Sequence, residues 1–343
     1  MGHGKPPGNA SLRGPAPVEG CRHLRVEVTG LTERSALRAH YHIWMQHFTA
    51  PDLAVLLVEL VPAVVFGLAG ERVARVSNRW PTALRVALPV VCGAPYLLVS
   101  LTHQVFSPQW LVVYTVLPVA VAWLLLRAAH ADPQQNGNWR DAVILLVLGV
   151  AVDLRWLEPA WPAGLAGLGK LLLVDAALYG FVVIRGLQGT GFDFHFRRAD
   201  WKAGLRELAF FAPIVIVLAL ALGFLQPHWS VPRPSMALAW VYIFVFIAVP
   251  EELFFRAWVQ NLLERRLATR FAGAAARKAS LLLTSVLFGL SHFNKRSPTF
   301  NWRYVILATI AGIFYGRAWR RDRRVPASAI THASVDWIWS WWF

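Results

Sequence analysis

Phe246-Ile-Ala-Val-Pro-Glu251-Glu252-Leu-Phe-Phe-Arg256 is the stretch on which the reading of the chain turns. Two adjacent carboxylates and an arginine interrupt an apolar run. A charge at bilayer depth is costly unless it is paired or lines a wet cavity, so the cluster is a candidate site from the outset. On a helix, Glu252 and Arg256 are four residues apart on one face and can pair. Glu251 points about 100° away and has no such partner on its own helix. Pro250 removes a backbone hydrogen bond just before the pair, which predicts a kink with room for water. The expected division is a fixed Glu252–Arg256 pair and a Glu251 that faces a cavity. The competing reading is a cytoplasmic helix that merely carries acids in its first turn.

Working outward, 56% of the 343 residues are hydrophobic and only 15% are charged. A soluble domain averages about 45–50% apolar and about 25% charged residues. The apolar residues fall into blocks at 53–70, 84–101, 110–126, 142–152, 165–184, 208–225, 236–263, 281–293, 304–315 and 327–343. This predicts an all-α polytopic membrane protein with about 8–10 transmembrane helices. Residues 1–50 read as a disordered tail running into an interfacial segment, 51–190 as an N-terminal transmembrane extension, and 191–343 as the functional core. His40, His42 and His47 are irregularly spaced and read as solvated. The N-terminus lacks a short apolar h-region, so no cleavable signal peptide is expected.

The net charge of +15 does not indicate nucleic acid, because the Lys and Arg sit in short loops rather than on one basic face. Basic and non-basic loops alternate along the chain. The positive-inside rule places the basic ones, such as Arg72–Arg79 and Arg265–Lys278, in the cytoplasm, where they would meet anionic headgroups. Two features run against this parity: the loop with Lys295, Arg296 and Arg303, and the arginine-bearing tail, both of which fall on the other side. Cys21 and Cys92 provide neither a disulfide framework nor a thiolate zinc site. Glu59 and Asp175, each isolated within a span, read as helix-packing hydrogen bonds or a wet crevice. Trp342 reads as an interfacial anchor.

Two later motifs complement the acidic cluster. Phe288-Gly-Leu-Ser-His292 closes the eighth block, and His332-Ala-Ser-Val-Asp336 puts a histidine and a carboxylate on one helical face. Counted from the cytoplasmic ends at 1.5 Å per residue, Glu251, His292, His332 and Asp336 lie roughly 20, 18, 10 and 17 Å deep. Three helices therefore bring ionisable groups to overlapping depth.

In this order and on successive apolar segments, Glu251-Glu252-x-x-x-Arg256, Phe288-x-x-x-His292 and His332-x-x-x-Asp336 resemble the CPBP family. These are intramembrane endopeptidases, also called the CAAX-protease and bacteriocin-processing, or Abi, family. The resemblance covers roughly residues 201–343. It implies hydrolysis of a peptide bond in a membrane protein or lipidated peptide, in a prokaryotic cell membrane. Glu251 would be the general base, assisted by His292; His332 and Asp336 would stabilise the oxyanion; Glu252 and Arg256 would support the site. The last motif position is often Asn in the family, and an ionised Asp cannot donate to an oxyanion. The resemblance favours a metal-free glutamate mechanism over zinc, which would take Glu251, His292 and His332 as ligands. Two other readings compete with the protease: a proton or cation pathway, and a non-catalytic membrane scaffold or immunity protein.

Overall fold

All ten apolar blocks fall on helices in a computed structural model of the protein, which describes residues 1–2, 48–228, 230–231, 233–295 and 299–343. The helices are α1 (Ala50–Ser77), α2 (Thr82–Thr102), α3 (Pro108–Ala131), α4 (Trp139–Asp153) and α5 (Ala166–Ile184). They are followed by α6 (Arg198–Ala221), α7 (Pro234–Ala268), α8 (Gly273–Leu290), α9 (Trp302–Asp322) and α10 (Val325–Trp342). Of the described residues 77% are helical, and none forms a strand. Among the described residues seven helices, α1–α3 and α5–α8, are long and apolar enough to cross a membrane. The polytopic all-α architecture is therefore the one expected. The tail histidines, Cys21 and the interfacial segment before Phe48 lie outside the described residues.

Local chemistry fixes several helix ends. Asp52 accepts from the Thr49 backbone N–H at 2.8 Å while the Thr49 hydroxyl accepts from that of Asp52 at 3.4 Å, a reciprocal cap that starts α1. Asn138 and Asp141 cap α4 in the same way. Helix α9 stops at Arg323, which adopts a left-handed φ of +50°. Outward faces are apolar: Val58, Leu146, Val217 and Leu238 are 61–69% exposed. Such surfaces suit lipid, while the polar groups turn inward.

Small residues set the closest helix approaches. A Cβ added at Gly204 of α6 would lie 2.7 Å from the Ala327 carbonyl oxygen of α10. One added at Gly312 of α9 would lie 3.0 Å from the Ser285 Cα of α8. The α1–α5 and α6–α10 halves share a core in which Phe181 stacks on Trp258, ring centroids 5.0 Å apart. Glu59 is buried, and its carboxylate oxygens have no hydrogen-bond partner among the described residues, so the expected packing hydrogen bond is not made.

Contacts between loops sort them into two ends. At one end, Arg185 bridges Asp132 (2.6 Å) and Asp141 (2.9 Å) of the α3–α4 connection. Arg324, just before α10, bridges Asp193 and Asp200, both at 2.6 Å, and Arg323 pairs with Glu264 of α7. Arg72 and Arg75 line the same polar hollow as Asp193 and Arg323. At the other end, His103 meets Asp52 at 2.9 Å, Asn294 donates to the Asp153 carbonyl at 2.9 Å, and the His228 N–H donates to the Trp342 carbonyl at 3.0 Å.

Partial burial of Asp193 works against its charge, but hydrogen bonds from Arg324 and His195 outweigh that and hold its carboxyl at about 2. A carboxyl held below its unfolded value of 3.8 stabilises the fold above that value and loses the contribution as pH falls through the folded one. Asp193→Asn should therefore lower the melting temperature in detergent at neutral pH. Its deficit relative to wild type should shrink as pH drops from about 4 toward 2. A deficit independent of pH would contradict the role given to this carboxylate.

Candidate active site

Glu251 lies midway along α7, and the backbone on both sides of it is unusual. Phe244–Ala248 and Leu253–Gln260 are π-helical, flanking a short α-helical turn that carries Pro250, Glu251 and Glu252. The expected kink at Pro250 is realised as widened turns. Proline has no N–H to give, so the hydrogen-bond register shifts beside it, and π-turns of this kind recur at functional sites. Along the buried face, Arg256 Nε donates to Glu252 Oε2 at 2.8 Å and Arg256 Nη1 to Gln260 Oε1 at 3.3 Å. Glu252 and Arg256 are both fully buried.

Helix α10 presents Ser328, His332 and Asp336 to this pair, each one turn from the next. The Ser328 hydroxyl donates to Glu252 Oε2, and His332 Nδ1 donates to Glu252 Oε1 at 2.9 Å. A carboxylate only accepts, so the partner assigns the proton to Nδ1. The other ring nitrogen, Nε2, then faces two carboxylates: Asp336 Oδ2 at 3.5 Å and Glu251 Oε2 at 3.8 Å. Tyr315 stacks on the imidazole (4.6 Å, 15°) and Phe288 meets it edge-on (5.7 Å, 88°). These two rings fix the plane in which both nitrogens lie.

Glu251 differs from its neighbour in every respect that matters chemically. Its side chain is 28% exposed, whereas that of Glu252 is fully buried. Its Oε2 is nevertheless buried and has no hydrogen-bond partner among the described residues. It lines a cavity of about 480 Å³ together with His292, His332 and Asp336, walled by apolar side chains of α6 and α9. His292 sits on the turn after α8. Its Nδ1 lies 2.8 Å from the Phe288 carbonyl, which accepts, so Nε2 is left with its lone pair. Phe288 and Tyr304 hold the ring, at 4.9 and 4.8 Å.

All six residues singled out in the sequence thus meet around one cavity and its supporting wall. Depth counting misplaced only His332, which it set about 10 Å shallower than Glu251. His332 Nδ1 nevertheless reaches Glu252 Oε1 at 2.9 Å, so the contact of α10 with α7 brings it to the acidic pair. Ser328, Gln260 and Tyr315 escaped the sequence reading. Ser328 had a signal, since it precedes His332 by the same four residues that separate His332 from Asp336. Tyr315 had none, because its stacking depends on how α9 crosses α10.

Both histidines have Nδ1 engaged, an arrangement that also orients metal ligands. Among the described residues, however, no group of three or more His, Cys, Asp or Glu side chains could hold a metal ion.

Residues 233–338 match a family model described as Rce1-like: type II CAAX prenyl endopeptidase Rce1-like. The matched stretch holds every residue of the site from Glu251 to Asp336 and stops short of α1–α6. It bears out the resemblance read from the motifs: this region is similar to the type II CAAX prenyl endopeptidases. No curated protein and no solved structure matches the chain.

Removing one partner of a buried ion pair strands the other, at about 3–5 kcal/mol. Glu252→Gln leaves the Arg256 guanidinium uncompensated and deprives His332 of its charged acceptor. The variant is expected to lose about that much stability in chemical denaturation of the detergent-solubilised protein. A change within error of wild type would contradict the geometry.

Proposed function

We propose that the protein is an intramembrane endopeptidase, that residues 191–343 are its catalytic core, and that Glu251 activates the water that attacks the scissile carbonyl. One observation carries the reading: the buried Oε2 of Glu251, which has no hydrogen-bond partner among the described residues, in a cavity shared with His292, His332 and Asp336. A carboxylate oxygen left without a hydrogen bond in a membrane bundle is expensive, and a water held between it and a substrate supplies one. The family match at 233–338 supports the same class of reaction.

In this mechanism Glu251 takes a proton from the water, and the water's electron pair forms the new C–O bond. The C=O π electrons move onto the carbonyl oxygen. As that oxyanion collapses and the C–N bond breaks, the proton passes to the departing amide nitrogen. His292, with its Nε2 lone pair, assists in holding the water. His332 is the donor nearest the developing oxyanion, held in register by Glu252 on one nitrogen and by the rings of Tyr315 and Phe288. Asp336, within 3.5 Å of His332 Nε2, orients and charges the imidazole rather than donating itself. No metal enters the reading, because the site's polar groups already supply a base and a donor. The substrate is a membrane protein or a lipidated peptide of a prokaryotic cell membrane, whose apolar flank lies against the α6 and α9 walls.

Cleavage of a fluorogenic membrane peptide by the purified protein tests this. Glu251→Gln should lower the rate by about 10²–10⁴-fold, the usual worth of a positioned base, with an unchanged melting temperature. Asp336→Asn keeps an oxygen for His332 Nε2 and should retain far more activity than Asp336→Ala. A Glu251→Gln enzyme as fast as wild type would sink the proposal.

A further inference from the structure

The cavity is not centred in the bundle. Its lining comes mainly from one half of each helix: the second half of α6, the first halves of α7 and α9, and the second half of α10, with Leu208, Tyr315 and His332 lying just past the midpoints. Alternate helices run in opposite directions, so these segments all lie toward the same end of the molecule. That end is the one where Asn294 meets the Asp153 carbonyl and His228 meets that of Trp342. Toward the opposite end the core is closed by Arg324 with Asp193 and Asp200, Arg323 with Glu264, and Arg185 with Asp132 and Asp141. No residue of those ion pairs lines the cavity.

The closed end is also the basic end. The loops that meet there are the ones dense in Lys and Arg, and the contacts that unite them are independent of the charge count that first sorted them. Loops rich in Lys and Arg remain in the cytoplasm. We infer that the active cavity opens on the non-cytoplasmic side of the membrane and takes its substrate from there. This rests on the proposed peptidase reading for what the cavity does, but not for which way it faces.

The same geometry gives a place to Lys295, from a loop that breaks the charge parity, and to Arg155. These are the cavity's two cationic lining residues among those described. The Arg155 side chain is 69% exposed and lies 4.0 Å from Glu158. Arg155 comes from the extension before the family-matched region, so the extension helps build the mouth. Cations at the entrance of a low-dielectric cleft focus a positive potential into it. The substrate class that fits is a translocated polypeptide segment with an apolar body and a carboxylate flank, not a chain tethered to the cytoplasmic leaflet.

Cysteine accessibility in intact cells tests the orientation without reference to activity. In the full-length Cys21→Ser, Cys92→Ser background, a membrane-impermeant maleimide should label Arg155→Cys before permeabilisation and Arg270→Cys only afterwards. Phe343→Cys and Arg198→Cys form a second pair, should either first variant fail to accumulate. Labelling of the mouth position only after permeabilisation, or of both positions alike, overturns the inference whatever the protein cleaves. An impermeant peptide with an acidic flank, added outside the cells, reads the substrate class. Glu251-dependent cleavage that slows in Lys295→Gln through KM rather than kcat is expected. External labelling with no cleavage would count against the peptidase reading and leave the orientation standing.

Discussion

One fully buried carboxylate organises the functional half of this protein. Glu252 receives Arg256 Nε and the Ser328 hydroxyl on one oxygen and His332 Nδ1 on the other. A carboxylate at membrane depth is tolerable only when its lone pairs are satisfied, and here two helices are needed to satisfy them. That requirement fixes the register of α10 against α7. It also fixes the tautomer and plane of His332, and so determines that His332 Nε2 faces Glu251 and Asp336. The close approach of α6 to α10 at Gly204 and of α9 to α8 at Gly312 gives the pair the walls it needs.

The contrast between two adjacent glutamates follows from helical geometry. Glu252 points to the neighbouring helices and is saturated. Glu251, about 100° around the axis, points to the cavity and is not. The π-helical turns on either side accentuate this by widening the helix where Pro250 cannot donate. In the proposed mechanism the saturated carboxylate is structural, while Glu251, facing a partly apolar cavity, holds the water and accepts its proton. The two roles need each other, because Glu251 has a defined opposite number only while Glu252 holds His332 in place.

Much of this was legible in the sequence, for identifiable reasons. Each of the ten apolar blocks fell on a helix, because a continuous apolar run in a membrane satisfies its backbone by helical hydrogen bonds. Spacing by four revealed the Glu252–Arg256 pair and the shared face of His332 and Asp336, because those relations are local. The π-helical turns were not legible, since Pro250 predicts a disturbance but not its form. His332 was set too shallow because depth counting reads one helix at a time and sees no contact between helices. Tyr315 and the one-sided cavity depend on helix crossings that no local pattern encodes. The loop with Lys295 looks anomalous as a topology signal, and the structure sets Lys295 beside Arg155 in the cavity lining.

The claim that Glu251 itself activates the water is tested most directly on protein whose metal content is measured on the same sample. After chelator treatment that removes bound metal, the wild type should still cleave a membrane peptide at its original rate, and Glu251→Gln should not cleave it. Loss of cleavage on stripping, with recovery when zinc is returned, would contradict the account.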